Sequence, residues 1–184
     1  MGSYAYTAEE AKEMLLRGNQ RFVAAKAASL DASEEVLKVS MNGQKPYAVI
    51  IACSDSRVIP EAIFSAGIGD LFVIRVAGNV IDKHQLGSIQ YAAEHLGTKL
   101  IVVLGHHSCG AVASALHHEN EGYVKCITDE ILKAVGDEKD ETKACILNAK
   151  HSCQVIEDSL QAQAHGLTVA GAMYHLESGT VEFL

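Results

Sequence analysis

The fold is decided by the stretch Tyr47-Ala48-Val49-Ile50-Ile51-Ala52-Cys53. This continuous apolar run has the length of one strand, and strands that are apolar on both faces are typical of a buried, mainly parallel sheet. A turn sequence, Asn42-Gly43-Gln44-Lys45-Pro46, precedes the run, and the polar sequence Ser54-Asp55-Ser56-Arg57 follows it. The stretch therefore predicts an inner strand that delivers polar side chains to the carboxyl end of a sheet.

Patterns typical of helices and strands alternate on both sides of this strand. Before it, the capping-box spacing of Thr7 and Glu10 predicts an amphipathic helix that reaches about Ala25, and a second helix is expected from about Ser33 to Met41. After it, strands are predicted at 71–76, 100–105, 167–174 and 180–183, and helices at 82–96, at 109–117 and over most of 124–163.

This alternation indicates an α/β fold. We expect a central, mostly parallel β-sheet of four strands plus an antiparallel edge strand, flanked by helices and preceded by an N-terminal helical arm at about 7–42. The edge strand is expected to be antiparallel because only the short turn Glu177-Ser178-Gly179 separates the last two strands. A length of 184 residues fits a single domain spanning residues 1–184.

The composition narrows the classes of function. A net charge of −8 argues against a nucleic-acid surface, which needs clustered Lys and Arg side chains. The longest apolar runs have the length of strands and fall far short of a membrane span. No basic segment followed by an apolar one opens the chain, and an odd number of cysteines, 5, fits reduced thiols or metal ligands better than a disulfide framework. We therefore expect a cytoplasmic protein with no nucleic-acid or membrane partner.

Two thiols and one imidazole fall at the ends of predicted strands. Cys53 ends the strand at 47–53, and His106 and Cys109 follow the strand at 100–105. Ligands of open α/β sheets bind beyond the carboxyl ends of the strands, and a catalytic zinc ion typically takes three S, N or O ligands and leaves one position for water. The spacing predicts a zinc site made of these three residues, with Asp55 and Arg57 beside it.

Other interpretations of the same residues remain open at this point. Either cysteine could be an ordinary buried core thiol, since free Cys is among the most buried residue types. Cys109 beside His106 could form a nucleophilic thiolate–imidazole pair. A nucleotide loop is less well supported, because Gly105 to Gly110 lacks the Lys-Ser/Thr that follows the glycines of a P-loop. The spacings of Cys145, His151 and Cys153 fit no common metal-ligand pattern, so we expect ordinary helix residues there.

The chain resembles the β-class carbonic anhydrases in three segments, namely Cys53-x-Asp55-Ser56-Arg57, Leu71 to Asn79 and Gly105-His106-x-x-Cys109-Gly110. The segments Leu15 to Phe22 and Gly171 to Leu184 are similar to the first helix and the closing strands of that family. The resemblance implies hydration of carbon dioxide to bicarbonate and a proton by attack of zinc-bound hydroxide. It also implies one zinc ion per chain on Cys53, His106 and Cys109.

Further roles are implied by this resemblance. Asp55 and Arg57 match the family's catalytic dyad, and the substrate-binding positions correspond to Gln44, Phe72, Tyr91 and Gly110. His95 matches a proposed proton-shuttle position of the plant-type branch. In the family, the substrate site lies at a subunit interface, so the resemblance implies a homodimer or a dimer of dimers.

Phe72 and His95 also have simpler interpretations. Phe72 could be a core residue of its apolar strand, and His95 could be a solvated side chain of its helix.

The chain has no Trp, whereas the allosteric branch of the family uses a Trp in a second bicarbonate pocket. In that branch the pocket is linked to closure of the aspartate onto zinc, so we expect Asp55 to stay paired with Arg57 and not to close onto the zinc ion. Two other functions fit the same residues: carbon disulfide or carbonyl sulfide hydrolysis on the same scaffold, and non-catalytic zinc sensing.

Overall fold

The structure is a computed structural model, and it describes residues 6–25, 30–119 and 121–184. The helices are α1 (Ala8–Val23), α2 (Glu34–Ser40), α3 (Pro60–Ile63), α4 (Lys83–His95), α5 (Gly110–Leu116), α6 (Val124–Val135) and α7 (Glu141–Leu160). The strands are β1 (Ala48–Ala52), β2 (Leu71–Arg75), β3 (Leu100–His106), β4 (Thr168–Tyr174) and β5 (Val181–Phe183). A 3-10 turn at Ala77–Asn79 connects β2 to α4.

The five strands form one sheet in the order β2-β1-β3-β4-β5. Strands β1 to β4 are parallel, and β5 pairs antiparallel with β4. The predicted fold class is therefore confirmed, including the antiparallel edge strand. The stretch that suggested the sheet, Ala48–Ala52, is completely buried between β2 and β3, which is why all of its residues are apolar.

Helices cover both faces of the sheet, and β1 alternates between the two cores. On one face Val49, Ile51 and Cys53 pack with residues of α4, α5, α6 and α7. On the other face Ile50 packs with residues of α1 and with Phe64, just after α3. Cys53 thus continues the alternation of β1 toward the layer that contains α5 and α7.

Side-chain caps set where several helices begin. The expected capping box of α1 is formed: the Thr7 hydroxyl accepts the Glu10 N–H at 3.2 Å, and the Glu10 carboxylate accepts the Thr7 N–H at 2.8 Å. Helix α1 ends at Val23, slightly before the predicted end at Ala25. The start of α4 has the same motif, with Asp82 as its N-cap.

Three local features differ from the sequence prediction or go beyond it. The stretch 124–163 is divided into α6 and α7, because Gly136 takes a positive φ of 54° and Asp140 caps a new helix. Helix α3 and the turn at Ala77–Asn79 were not predicted, since such short elements show no measurable periodicity.

The N-terminal arm contains two described helices. Helix α1 buries Ala11, Leu15, Gly18 and Asn19, whereas α2 has no buried residue. Residues 26–29 of the predicted arm lie outside the described part of the chain. Over the described ranges, none of the helices is both long and apolar enough to span a membrane.

Candidate metal centre

Strand register brings the predicted metal ligands to one edge of the sheet. Ala52 of β1 is level with Leu104 of β3 in the parallel ladder. Cys53 directly follows β1, and His106 is the last residue of β3, so both project from the carboxyl edge. Ser108 adopts a φ of +54°, and this turn leads to Cys109 at the N-cap of α5.

The three side chains form a compact, buried cluster. The ligand atoms of Cys53, His106 and Cys109 all lie within 4.8 Å of one another, and the two sulfur atoms are 3.9 Å apart. The residues are 5%, 1% and 2% exposed, respectively. Within the described ranges, this is the one cluster of three or more His, Cys, Asp or Glu side chains that could hold a metal ion.

The hydrogen bond made by His106 prepares its ring for a metal. Nδ1 lies 2.9 Å from the carbonyl oxygen of His107, and because a carbonyl only accepts, Nδ1 must carry the ring proton. Nε2 then keeps its lone pair, and it is buried with no hydrogen-bond partner among the described residues. A metal-bound His typically donates its other ring N–H in this way, so the cluster fits a zinc ion.

Two backbone amides point at the sulfur of Cys53. The N–H groups of Asp55 and Gly78 donate to Sγ at 3.4 and 3.3 Å. The pKa of Cys53 is lowered, first because the Cys109 thiol donates to its sulfur, and further by the hydrogen bonds from the two amides. The same sulfur–sulfur hydrogen bond, together with burial, raises the pKa of Cys109. The site therefore stabilises thiolate charge on Cys53.

Asp55 and Arg57 form a bidentate ion pair beside this cluster. Arg57 donates from Nε to Oδ1 at 2.9 Å and from Nη2 to Oδ2 at 2.7 Å, and its backbone N–H also reaches Oδ1 at 2.9 Å. The Arg57 hydrogen bonds hold the pKa of Asp55 well below its usual range. Arg57 also donates to the carbonyl of Ser108, so the pair connects the Cys53 loop with the His106–Cys109 loop.

Arg75 holds the ligand loop from the neighbouring strand. Its Nε donates to the carbonyl of Cys53 at 3.1 Å, and its Nη2 donates to the carbonyl of Asp55 at 2.7 Å. Sequence reasoning assigned no such role to Arg75 or to the Gly78 amide. An Arg that ends an apolar strand level with Ala52 was the available signal, and it becomes informative only once the strand pairing is known.

Three of the predicted substrate and shuttle residues, Phe72, Tyr91 and His95, form a second group, separate from the metal cluster within one chain. The rings of Phe72 and Tyr91 lie 6.3 Å apart, and Tyr91 stacks on His95 at 5.1 Å. Phe72 is level with Val49, well before the end of β1 at which Cys53 lies. Tyr91 is 48% exposed and lies on α4, as does His95.

Gln44 and Gly110 lie at opposite ends of the parallel strands, Gln44 at the amino ends and Gly110 at the carboxyl ends. Gln44 precedes β1 and lines a groove of about 790 Å³ near α2, so it lies at the edge away from Cys53. Gly110 follows Cys109 directly and begins α5. The single chain therefore places Gly110 at the cluster but not Gln44, and the substrate roles of both stay predictions.

Sequence comparison relates the chain to known proteins. The profile of a family described as carbonic anhydrase matches residues 48–181. Carbonic anhydrase 2 of Mycobacterium tuberculosis is 48% identical over 126 residues, which cover 66% of this chain but only 61% of that protein. A carbonic anhydrase of Mycolicibacterium smegmatis is 37% identical over 180 residues, which cover 90% of this chain and 87% of that protein.

Comparison of folds gives a consistent result. The chain superposes on a tetrameric β-carbonic anhydrase from the filamentous ascomycete Sordaria macrospora with a TM-score of 0.74, over 94% of this chain and 96% of that one. The two sequences are 24% identical, so this likeness concerns the fold alone.

Proposed function

The chain belongs to the carbonic anhydrase family, with the fold of the β class, and we propose that it catalyses the reversible hydration of carbon dioxide to bicarbonate and a proton. One observation carries this proposal. A buried Cys53–His106–Cys109 cluster with the donor set of zinc lies beside a carboxylate that Arg57 holds ionised.

Cys53, His106 and Cys109 would hold one zinc ion per chain. Two thiolates and a neutral imidazole balance the charge of a dication, and the three residues leave a fourth position free for water. When bound, zinc supplies Lewis acidity and lowers the pKa of a coordinated water to about 7.

Asp55 supplies a fixed hydrogen-bond acceptor. Its Oδ1 already accepts two hydrogen bonds from Arg57, whereas Oδ2 accepts only one. An ionised carboxylate has about two acceptor positions on each oxygen, so Oδ2 keeps one for a proton of the reacting water. The hydrogen bond that Oδ2 would accept from this water orients the water oxygen, so that a lone pair can face the carbon of carbon dioxide. Arg57 prevents Asp55 from rotating, because the fork of the guanidinium engages both carboxylate oxygens.

We infer that a second copy of the chain completes the substrate site. Gln44, Phe72 and Tyr91 match substrate positions by resemblance, yet Gln44 lies at the far edge of its own sheet. A homodimer would let one chain supply such residues to its partner, and the tetrameric relatives make a dimer of dimers reasonable. His95, stacked on Tyr91, is the proposed proton shuttle, since His changes charge near neutral pH.

We also propose a cytoplasmic location. All five cysteines are free, including the two that would bind zinc as thiolates. A reducing compartment keeps such thiols available for the metal.

Stopped-flow measurement of carbon dioxide hydration on the zinc-loaded protein tests the function. We expect rapid hydration by the wild type and loss of both zinc and activity in Cys53→Ser. Asp55→Asn should keep one zinc ion per chain and lose hydration by about 100-fold or more, since it removes the anionic acceptor. A wild type that binds zinc stoichiometrically but hydrates carbon dioxide no faster than Asp55→Asn would contradict the proposal.

The same protein should be assayed with carbon disulfide and carbonyl sulfide. We expect hydration of carbon dioxide to exceed both activities. The reverse order would favour the alternative hydrolase, and zinc binding without any turnover would favour a sensor.

A further inference from the structure

The 3-10 turn at Ala77–Asn79 is held between the metal cluster and α7. On one side, the N–H of Gly78 donates to the sulfur of Cys53 at 3.3 Å. On the other side, the carbonyl of Gly78 accepts a hydrogen bond from Nδ2 of Asn148 at 2.7 Å. The carbonyl of the next residue, Asn79, accepts from Oγ of Ser152 at 3.0 Å. One peptide chain of three residues thus connects the cysteine sulfur to α7.

Asn148 and Ser152 are unusual residues for their surroundings. Both are 2% exposed, and both lie on α7 four positions apart, so they share the helix face that packs on the sheet. Neighbours on that face are apolar or small, such as Ala149 and Ile156. Burying a polar side chain costs free energy unless it is hydrogen-bonded, and each of these side chains donates its hydrogen bond to the turn.

The amide of Asn148 is satisfied on one side only. Its Oδ1 is buried with no hydrogen-bond partner in the described part of the chain, whereas Nδ2 makes the short bond to Gly78. An apolar side chain of similar size would avoid that unpaired acceptor. A purely structural need for volume in this helix therefore explains Asn148 poorly, and the bond to Gly78 is what an apolar residue could not supply.

We propose that Asn148, assisted by Ser152, is a positioning residue of the metal centre, which keeps the amide of Gly78 directed at the sulfur of Cys53. This inference rests on the proposed function, because it takes Cys53 to be a zinc ligand. The hydrogen bond from the Gly78 N–H orients the sulfur and stabilises its negative charge. Groups that orient metal ligands in this way typically change metal affinity by about 10- to 100-fold when they are removed.

The test compares Asn148→Leu with the wild type in metal binding. Leucine has the same branched shape and the same number of side-chain heavy atoms but no donor, so we expect zinc affinity, measured by competition with a chromophoric chelator, to fall by about 10- to 100-fold. We also expect the sulfur-to-metal charge-transfer band of the cobalt(II)-substituted protein to shift, because the hydrogen bonding of a coordinating sulfur changes. A general loss of stability would not move that band.

Thr98→Val is the matched control. Thr98 is also buried, at 3% exposure, and its hydroxyl donates to the carbonyl of Pro46 at 3.0 Å, at the opposite end of β1 from Cys53. The Thr98→Val substitution removes a buried hydrogen bond from a side chain to a backbone carbonyl, as Asn148→Leu does, but it lies away from the metal centre. We expect wild-type zinc affinity and a wild-type cobalt band from this variant.

Ser152→Ala keeps the proposal testable if Asn148→Leu does not fold. This variant loosens the same turn through Asn79. We expect a smaller loss of zinc affinity and a shift of the cobalt band in the same direction. Folded Asn148→Leu or Ser152→Ala proteins with wild-type affinity and an unshifted band would overturn the inference, while zinc binding and hydration by the wild type would leave the proposed function intact. A wild type that binds no zinc would overturn both.

Discussion

Gly78 has a backbone conformation that other residues adopt at a cost. Its φ is +68°, and a Cβ placed there would lie 2.9 Å from Cδ1 of Ile131 and 3.2 Å from Cβ of Ala111. A glycine at this position therefore lets the turn sit against α5 and α6 while its N–H reaches Cys53. At the residue scale, the metal centre depends on this close approach as well as on its ligands.

The loss of stability in Gly78→Ala should therefore exceed the cost of the left-handed backbone conformation alone. We expect the free energy of unfolding in urea to fall by about 2–3 kcal/mol, from the left-handed conformation together with the contact with Ile131. The matched control is Gly97→Ala, because Gly97 has a φ of +76° with nothing within 4 Å of its Cβ position. Equal losses in the two variants would show that the crowding at Gly78 has no energetic consequence.

The sequence was most informative for residues whose neighbours in the chain define their role. Cys53, Asp55 and Arg57 lie within one loop, so their spacing already predicted a thiol with charged neighbours; the resemblance implied that Asp55 and Arg57 pair, and the structure shows that pair. Asn148 is different, because its partner Gly78 is 70 positions away in the chain. A single Asn in a helix gives no sign of such a contact until the tertiary structure is known.

At the scale of elements, the buried side chain of Asn19 adds hydrogen bonds to the apolar contacts that hold α1 on the sheet. Nδ2 of Asn19 donates to the carbonyls of Gly179 and Ile63 at 2.8 and 3.2 Å, and its Oδ1 accepts the N–H of Val181 at 2.9 Å. Asn19 thus connects α1 with the end of α3 and with the turn before β5. All polar atoms of its amide group are used.

Asn19→Leu should loosen the arm without affecting the metal centre. Loss of one buried and two partly buried hydrogen bonds, which leaves their backbone partners unpaired, should lower the free energy of unfolding by about 2–4 kcal/mol. Urea denaturation measures this change, with the exposed Asn42→Ala as a control. Zinc affinity should remain that of the wild type. An unfolding free energy equal to that of the control would show that α1 is held by its apolar contacts instead.

The elements themselves were largely predictable. Side-chain caps such as Thr7 and Asp82 are local signals, and α1 and α4 begin next to them, whereas the break at Gly136 was not predicted. The strand order was not predicted, because each strand is apolar and could pair with several others. Helix α3 was missed since four residues are too few to show a period.

At the scale of the whole molecule, the predicted substrate residues other than Gly110 lie apart from the metal cluster within one chain. Gln44 lies at the amino edge of the sheet, and Cys53 lies at the carboxyl edge. Helix α2, which precedes Gln44, presents Leu37 and Val39 to solvent at 47% and 65% exposure, and its C-cap Met41 is 86% exposed. These observations support a site that is completed by a second copy.

Mixing two inactive variants tests whether Gln44 acts across a subunit interface. In a hybrid dimer of Cys53→Ser and Gln44→Leu chains, one site combines an intact Cys53 with an intact Gln44 from the other chain. Random pairing makes half of the dimers hybrids with one complete site of two, so we expect about a quarter of wild-type hydration after co-refolding. A mixture no more active than its separate components would place Gln44 in the site of its own chain, or outside any site.

The central claim is that Arg57 holds Asp55 away from the metal, so that the fourth position stays open for water. The most direct measurement is a crystal structure of the zinc-loaded protein at alkaline pH, with anomalous scattering to locate the metal. We predict one zinc ion per chain on Cys53, His106 and Cys109, with the carboxylate of Asp55 still paired with Nε and Nη2 of Arg57 as in the present structure. A carboxylate oxygen of Asp55 bound to the zinc ion, or zinc at another site, would contradict the account.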